Sequence, residues 1–303
     1  MRVFVTGSTG VIGRRVVPLL ATAGHEVTCA VRSGRQGAAA SKLGARAAEV
    51  DLFDRARLVE AVAGHDAIIN LATHMPRSFG RMFLPGAWRQ NDRIRGVAVP
   101  NLADAARVAG VGRFIQESFA PIYEDRGDDW IDEGAPVQPA HYNRTTLDAE
   151  RAVHRFSEAG GVGIVLRFAA LYGPDSSQLG QMVAFVRRGW GLLPGRPSSF
   201  FSSVSHDDAA TAVVTALSLP AGIYNVADDE PLRHRDFVDT IARAAGAAPP
   251  RLFPEWLTAL GGSLAKTLAR SLRISNKKLR DNGWSPRYPS ARDGLPLAVA
   301  ALP

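Results

Sequence analysis

An α/β fold built on a doubly wound parallel sheet is predicted by three observations. The chain opens on a short β-branched and aromatic run, Arg2 to Thr6. Gly7, Gly10 and Gly13 follow at G-x-x-G-x-x-G spacing. Arg14 to Ala23 then carries Val16, Val17, Leu19 and Leu20 on one helical side, closed by Gly24. Strand, glycine turn and helix in this order give the glycine pattern a structural context. Glycines let the backbone turn tightly and approach a pyrophosphate, and the free N–H groups at the helix start bind that anion. The turn Gly7, Ser8, Thr9, Gly10, Val11, Ile12 and Gly13 is therefore expected to hold a dinucleotide, which makes the sheet Rossmann-type.

The next strand, Glu26–Val31, ends where the cofactor is selected. An acid there would bond the ribose 2′-hydroxyl of NAD, whereas arginine accommodates the 2′-phosphate of NADP. Arg32, Ser33 and Arg35 stand at that place, with no acid before Glu49, so NADP(H) is expected. Arg46–Val50 reads as the third strand, Arg55–Ala63 as a helix and Asp66–Leu71 as the fourth strand. A polar loop from Met75 to Trp88 follows at the strand's carboxyl end, the edge where ligands bind in open α/β sheets. Asn91 to Ala109 is a helix, and Arg113–Gln116 starts strand five.

Composition bounds the function classes. The chain has 303 residues, 46% hydrophobic and 21% charged, values of a soluble globular protein. The net charge of +7 comes from 36 basic residues, of which only Lys42, Lys266, Lys277 and Lys278 are lysine. The arginines are scattered, so no nucleic-acid partner is expected. Cys29 is the one cysteine, which excludes an internal disulfide. No signal peptide and no apolar stretch long enough for a bilayer is visible, so a cytoplasmic protein without a membrane partner is expected, as monomer or homodimer.

Several further segments resemble one family. Asp51-Leu52, Asn70-Leu71-Ala72, Asn91 with Gly96, Tyr142, Leu166-Arg-Phe-Ala-Ala-Leu-Tyr-Gly-Pro174, Ser205-His206-Asp207-Asp208-Ala209, Tyr224 to Pro231 and Gly283-Trp284-Ser-Pro286 look like the extended short-chain dehydrogenase/reductases. These form the NAD(P)-dependent epimerase/dehydratase superfamily. The resemblance covers nearly the whole chain. It implies a nucleotide lobe, 1–174 with 204–227, and a smaller C-terminal substrate lobe, 175–203 with 228–303. It adds Asp51, Leu52, Leu71, Ala72, Thr73, Thr146, Phe168 and Ala169 to the cofactor-binding residues.

The family's active site is a Ser or Thr with Tyr-x-x-x-Lys, in which the lysine lowers the tyrosine pKa and holds the nicotinamide ribose. Here Tyr142 keeps its place, Thr146 stands at the lysine, and Phe119 at the serine with Ser118 one residue before. Tyr142, Ser118 and Asn91 are the expected catalytic residues. A phenol has pKa ≈ 10, so without a cation it protonates an alkoxide well and is a poor base. Arg144 lies roughly 200° around a helix from Tyr142, leaving His141, His74 or an acidic group of the substrate as substitutes. These departures resemble triad-less ketoreductases that tailor aromatic polyketides.

The expected function is thus NADPH-dependent reduction of a ketone on an aromatic or polycyclic small molecule, with the proton from Tyr142 or the substrate. A nucleotide-sugar epimerase or dehydratase and a non-catalytic NADP-binding redox sensor are the alternatives. Arg81, Trp88, Tyr123 and Trp190 are further pocket candidates. Asp207 or Asp208 is expected to cap a helix. The acidic run Glu124–Glu133 fits no calcium loop, and no metal is expected. Pro254–Ile274, with Trp256, Leu257, Leu260, Leu264, Leu268 and Leu272 at helical spacing, reads as an amphipathic helix broken at Gly261-Gly262.

Overall fold

The computed structural model describes residues 1–76, 78–84 and 86–303, with the backbone alone at 257 and 259. Seven parallel strands form the central sheet: β1 Arg2–Thr6, β2 Glu26–Val31, β3 Arg46–Glu49, β4 Ala67–Asn70, β5 Arg113–Phe119, β6 Val162–Phe168 and β7 Gly222–Val226. Their order across the sheet is β7-β6-β5-β4-β1-β2-β3. The order reverses between β1 and β4, so the crevice beyond their carboxyl ends is the topological switch point where a ligand is received.

The strands are apolar on both faces because helices cover both. Val3 and Val5 pack with Val16, Val17 and Leu20 of α1 (Gly13–Thr22), joined by Ala209 and Val213 from the helix His206–Thr215. Phe4, between them in sequence, points to the opposite face. There it meets Leu58 and Val62 of α2 (Arg55–Val62), Leu102 and Ala106 of α3 (Val99–Val108), and Val153 and Phe156 of α4 (Thr146–Glu158). Burying each such side chain contributes about 1.5–3 kcal/mol. The edge strand β3, Arg-Ala-Ala-Glu, is mostly exposed, the polar border expected where no partner strand follows.

The segment leading into α3 positions much of the site. Arg89–Arg93 is α-helical, Ile94–Ala98 widens into a π turn, and Val99–Val108 resumes the α-helix. π turns inside helices recur at functional sites. Pro100 falls in the first turn of α3, where its missing N–H costs little.

A second core is built by α5 (Ser177–Val186), α6 (His234–Ala244) and α7 (Ala291–Ala300), which bury Leu179, Phe237, Ile241 and Leu295 together with Tyr172. The expected helix at 254–274 breaks at the Gly261-Gly262 pair, as the sequence indicates, but its pieces are short, Leu257–Leu260 and Gly262–Leu268, and the strand Arg273–Ile274 follows beside Trp130–Ile131. Gly262 has φ +64°, the left-handed conformation that ends a helix, and Leu272 lies beyond both pieces. The Leu257 side chain lies outside the described residues. Among its described residues the loop after β4 contains one short helix, Phe79–Met82. Among the described residues no helix is long and apolar enough to cross a membrane.

Candidate active site

Gly7 leaves β1 at φ +69°, and a Cβ there would overlap the carbonyl of Leu71 just beyond β4. A Cβ on Gly13 would overlap the Gly7 carbonyl oxygen and the Ser8 backbone. These two glycines let the turn close on itself and on the neighbouring strand end. Gly10 differs. It is exposed, and its Cβ would meet only the Gly7 oxygen at 3.2 Å. Gly10 N–H bonds the Gly7 carbonyl at 2.9 Å, while among the described residues the N–H groups of Val11 and Ile12 have no acceptor in the chain. Exposed glycine backbone with free N–H donors at a helix start fits a pyrophosphate. Ser8 is buried and Thr9 exposed. Thr6, Asn70 and Gln116 form a buried hydrogen-bonded row across β1, β4 and β5, which fixes the strand ends beneath the crevice.

At the end of β2, Arg32, Ser33 and Arg35 are exposed. The Arg32 N–H donates to Gln36 Oε1 at 2.8 Å. Among the described residues neither arginine has an acidic partner. Both guanidinium groups are thus available to a phosphate. Asp51 is exposed and accepts the Phe53 N–H at 3.0 Å, with Leu52 half-buried beside it. Leu71 is buried, Ala72 half-buried and Thr73 exposed along the β4 exit, while Phe168 and Ala169 are buried at the end of β6.

Tyr142 sits in a single 3₁₀ turn, His141–Asn143, just before α4. Its side chain is 7% exposed and packs with Trp88, Leu264, Phe119 and Leu268. The Trp88 ring lies 4.8 Å from it, centroid to centroid, held by an indole N–H to Met82 O bond of 3.0 Å. Among the described residues the Tyr142 hydroxyl has no hydrogen-bond partner of good geometry. Burial pushes its pKa above the usual phenol value, and the nearby Arg270 and Arg95 charges and the neighbouring Thr267 offset only part of that. The phenol therefore stays protonated at neutral pH.

The side chain at position 146 is met by a cation from another element. Thr146 is buried, and its Oγ1 accepts from Arg95 Nη1 at 2.7 Å. Arg95, on the π turn, also pairs with Glu117 at 3.0 Å. The sequence alone did not single out Arg95. Its i, i+4 spacing from Asn91 was the available signal, since such residues share a helix face. Arg144, His141 and His74, the substitutes considered from sequence, are all exposed. Asn91 is buried and its Oδ1 accepts the His74 N–H at 3.0 Å, tying the helix to the β4 exit, while its Nδ2 finds no partner among the described residues.

Ser118 faces another group. Its hydroxyl donates to Glu150 Oε1 at 2.5 Å, and Glu150 is clasped by Arg167. Phe119, the next residue, is the one beside Tyr142. Of the pocket candidates, only Trp88 packs against Tyr142. Tyr123 is core, its hydroxyl donating to Asn225 Oδ1 at 2.8 Å and its pKa pushed up by burial to about 12. Trp190 stacks on Phe253, and Arg81 is exposed. The helix His206–Thr215 is capped by Ser205, whose hydroxyl accepts the Asp208 N–H. Asp208 instead receives the Arg287 and Tyr288 N–H groups, and Asp207 pairs with Arg15. The 124–133 carboxylates bond nearby backbone or arginine. Among the described residues no cluster could hold a metal ion. A surface groove lined by Arg2, Glu26, Arg46 and His65 lies at the opposite, amino edge of the sheet, away from every group above.

Comparison with known proteins agrees with this arrangement. A family model described as "NAD dependent epimerase/dehydratase family" matches residues 3–227. The chain is 33% identical to a 3-diazoavenalumate denitrifying reductase of a Streptomyces species, over 97% of this chain and 99% of that protein. It is 26% identical to a farnesyl-dihydroquinoline-oxide ketoreductase of Stigmatella aurantiaca, over 100% and 86% of the two chains. Among solved structures, the UDP-glucose 4-epimerase of Thermus thermophilus in complex with NAD is similar at a TM-score of 0.78 and 25% identity, covering 99% and 98% of the two chains. The chain is an oxidoreductase of the reductase kind, with a nicotinamide dinucleotide as its cofactor, and it belongs to the NAD-dependent epimerase/dehydratase family.

Proposed function

We propose that the protein is an NADPH-dependent reductase of a ketone on an aromatic or polycyclic small molecule. When bound in the crevice, the nicotinamide supplies the hydride to the carbonyl carbon. Tyr142 supplies the proton to the oxygen as the C=O π bond breaks. The observation that carries this reading is the Tyr142 phenol, buried, unpartnered and held protonated. Such a group is an acid for an incoming alkoxide and a poor base for a sugar hydroxyl. Trp88, Met82, Phe119, Leu264 and Leu268 around it favour a flat apolar substrate. Free Arg32 and Arg35 favour NADPH over NADH. The part built by 175–203 and 228–303 contributes Leu264 and Leu268 to this wall, consistent with a substrate-binding lobe.

A second reading is favoured by the relative that shares a third of its residues along nearly the full length, named for a denitrifying reduction of a diazo compound. Hydride added to the terminal nitrogen of an aryl diazonium gives an aryl diazene. Loss of N2 then leaves the hydrogen on the ring carbon. That sequence creates no alkoxide and needs no proton from Tyr142, so it tolerates the missing serine and lysine.

NADPH oxidation followed at 340 nm tests both readings, with 9,10-phenanthrenequinone, a panel of polycyclic ketones and an ortho-diazophenol as substrates. Ketone turnover that falls by roughly 10²–10⁴ in Tyr142→Phe is the result expected of a lost general acid, with NADPH affinity kept. Turnover confined to the diazo compound and indifferent to Tyr142→Phe would replace the first reading by the second. Turnover only of UDP-sugars would refute both.

A further inference from the structure

We propose that Arg95 does in this chain the work of the family's missing lysine, as a positioning residue that sets a positive charge beside Tyr142 and the cofactor sugar next to it. The proposal rests on the reading of Tyr142 as proton donor. Position 146 is four residues after Tyr142, where the lysine would start. Thr146 ends far short of a lysine's reach, but its Oγ1 accepts from Arg95 Nη1 at 2.7 Å. A threonine oxygen plus one hydrogen bond covers about the reach of a lysine stem. The cation thus arrives at the same place from a different element.

The bonding of Arg95 supports a ligand-directed role. Its side chain is 4% exposed, Nη1 serves Thr146, Nη2 serves Glu117, and Nε has no partner among the described residues. Arginine presents its donors in a rigid fork, so Nε has a fixed direction. A buried charged donor left without an acceptor is costly unless something in the working protein meets it. Asn91 Nδ2, one helical turn before Arg95, and the Tyr142 hydroxyl are likewise without a partner among the described residues. The charges of Arg270 and Arg95 act on the Tyr142 phenol, and Thr267 neighbours its hydroxyl. Arg270 is already committed, its Nη1 to the Tyr123 and Gln138 carbonyls and its Nη2 to Gln138 Oε1. Arg144 and His141 are at the surface.

Glu117 distinguishes this device from a lysine. Its carboxylate, 3.0 Å from Nη2, partly cancels the field that Arg95 exerts. Tyr142 is thereby oriented and assisted without being driven to phenolate, which suits an acid used in reduction alone.

The experiment compares wild type, Arg95→Met/Glu117→Gln, the same pair with Thr146→Lys added, and Glu117→Gln alone. Removing Arg95 and Glu117 together avoids stranding a buried charge. NADPH affinity is read by fluorescence titration at pH 7, and thermal midpoints are recorded beside it. The double variant is expected to bind NADPH roughly tenfold or more weakly, the loss of a charge-assisted hydrogen bond. Thr146→Lys is expected to recover most of that loss. Unchanged affinity in the double variant, or no recovery with lysine in a folded triple variant, would overturn the proposal. Should the double variant not fold, Glu117→Gln alone decides through the pH profile of 9,10-phenanthrenequinone reduction. Its alkaline limb is expected to move down by about a pH unit as Arg95 loses its counter-charge; an unmoved limb overturns the proposal. Tyr142→Phe is measured alongside. Retained turnover there would remove the proton-donor reading, while the affinity series would still report on Arg95.

Discussion

Glu150 on α4 accepts both forks of Arg167 from β6, Nε at 2.9 Å and Nη2 at 2.6 Å, with both side chains under a tenth exposed. Ser118 donates to the same carboxylate, and the Arg167 guanidinium lies 4.9 Å from the Tyr123 ring centroid. Two adjacent strands, a helix and the Tyr123 turn are locked together by this cluster. Breaking one side of such a buried pair leaves an uncompensated charge, which costs about 3–5 kcal/mol. Glu150→Gln is therefore expected to lower the unfolding free energy, read from urea titration, by that amount. The Arg167→Met/Glu150→Met pair should lose much less. Equal losses in both would mean that packing, not charge pairing, holds this junction.

The glycine turn separates stability from binding. Gly13→Ala forces a Cβ into the Gly7 oxygen and the Ser8 backbone, neither of which can yield without moving the turn. It is expected to lower the thermal midpoint and abolish NADPH binding together. Gly10→Ala meets only a 3.2 Å contact and should fold normally. Its added methyl would still obstruct the close approach of a pyrophosphate. A Gly10→Ala protein that binds NADPH as wild type does would move the phosphate site away from this turn.

Much of this was legible in sequence for a physical reason. β1, β2 and β4 lie inside a sheet covered on both faces, so they appear as apolar runs bounded by glycine. The glycine turn, Tyr142 and the free arginines after β2 are local patterns. Arg95 was not legible because its meaning depends on Thr146, 51 residues away. Ser118 was legible as a hydroxyl near the serine position, but its commitment to Glu150 needs α4 folded against β5. The break at Gly261-Gly262 was legible in the 254–274 stripe, but apolar residues at helical spacing as far as Leu272 could not show that the second piece stops at Leu268.

On the proposed reading, cofactor choice turns on Arg32, exposed and, among the described residues, without an acidic partner. Arg32→Asp places a carboxylate where the adenosine ribose is expected. It would repel a 2′-phosphate and accept a 2′-hydroxyl bond. The ratio of NADPH to NADH dissociation constants is expected to shift toward NADH by roughly 10- to 100-fold, the worth of one charge-assisted hydrogen bond. An unchanged ratio would assign phosphate recognition to Arg35 or elsewhere.

His234 gives the fold a defined acid sensitivity. It opens α6 in the second core, 1% exposed, edge-on to Phe201 with ring centroids 5.6 Å apart, and among the described residues neither ring nitrogen has a hydrogen-bond partner of good geometry. Burial lowers its pKa from 6.5 to about 4, with the Pro194 carbonyl and the Asp125 charge offsetting part of the effect. Between those values the unfolded chain binds a proton that the folded chain refuses, so stability falls as pH drops from about 6.5 to about 4. Above that range the imidazole is neutral in both states and the contribution is constant. The loss approaches roughly 3 kcal/mol at one histidine, since each pKa unit is about 1.4 kcal/mol. His234→Phe keeps the ring contact and removes the proton. Unfolding free energies of wild type and variant are expected to agree within about 1 kcal/mol at pH 7 and to separate steadily toward about pH 4.5, the variant being the more stable. Other titrating groups are common to both proteins and cancel in the difference. Parallel curves over that range would mean that the folded protein admits the His234 proton, and that the second core opens to water at this position.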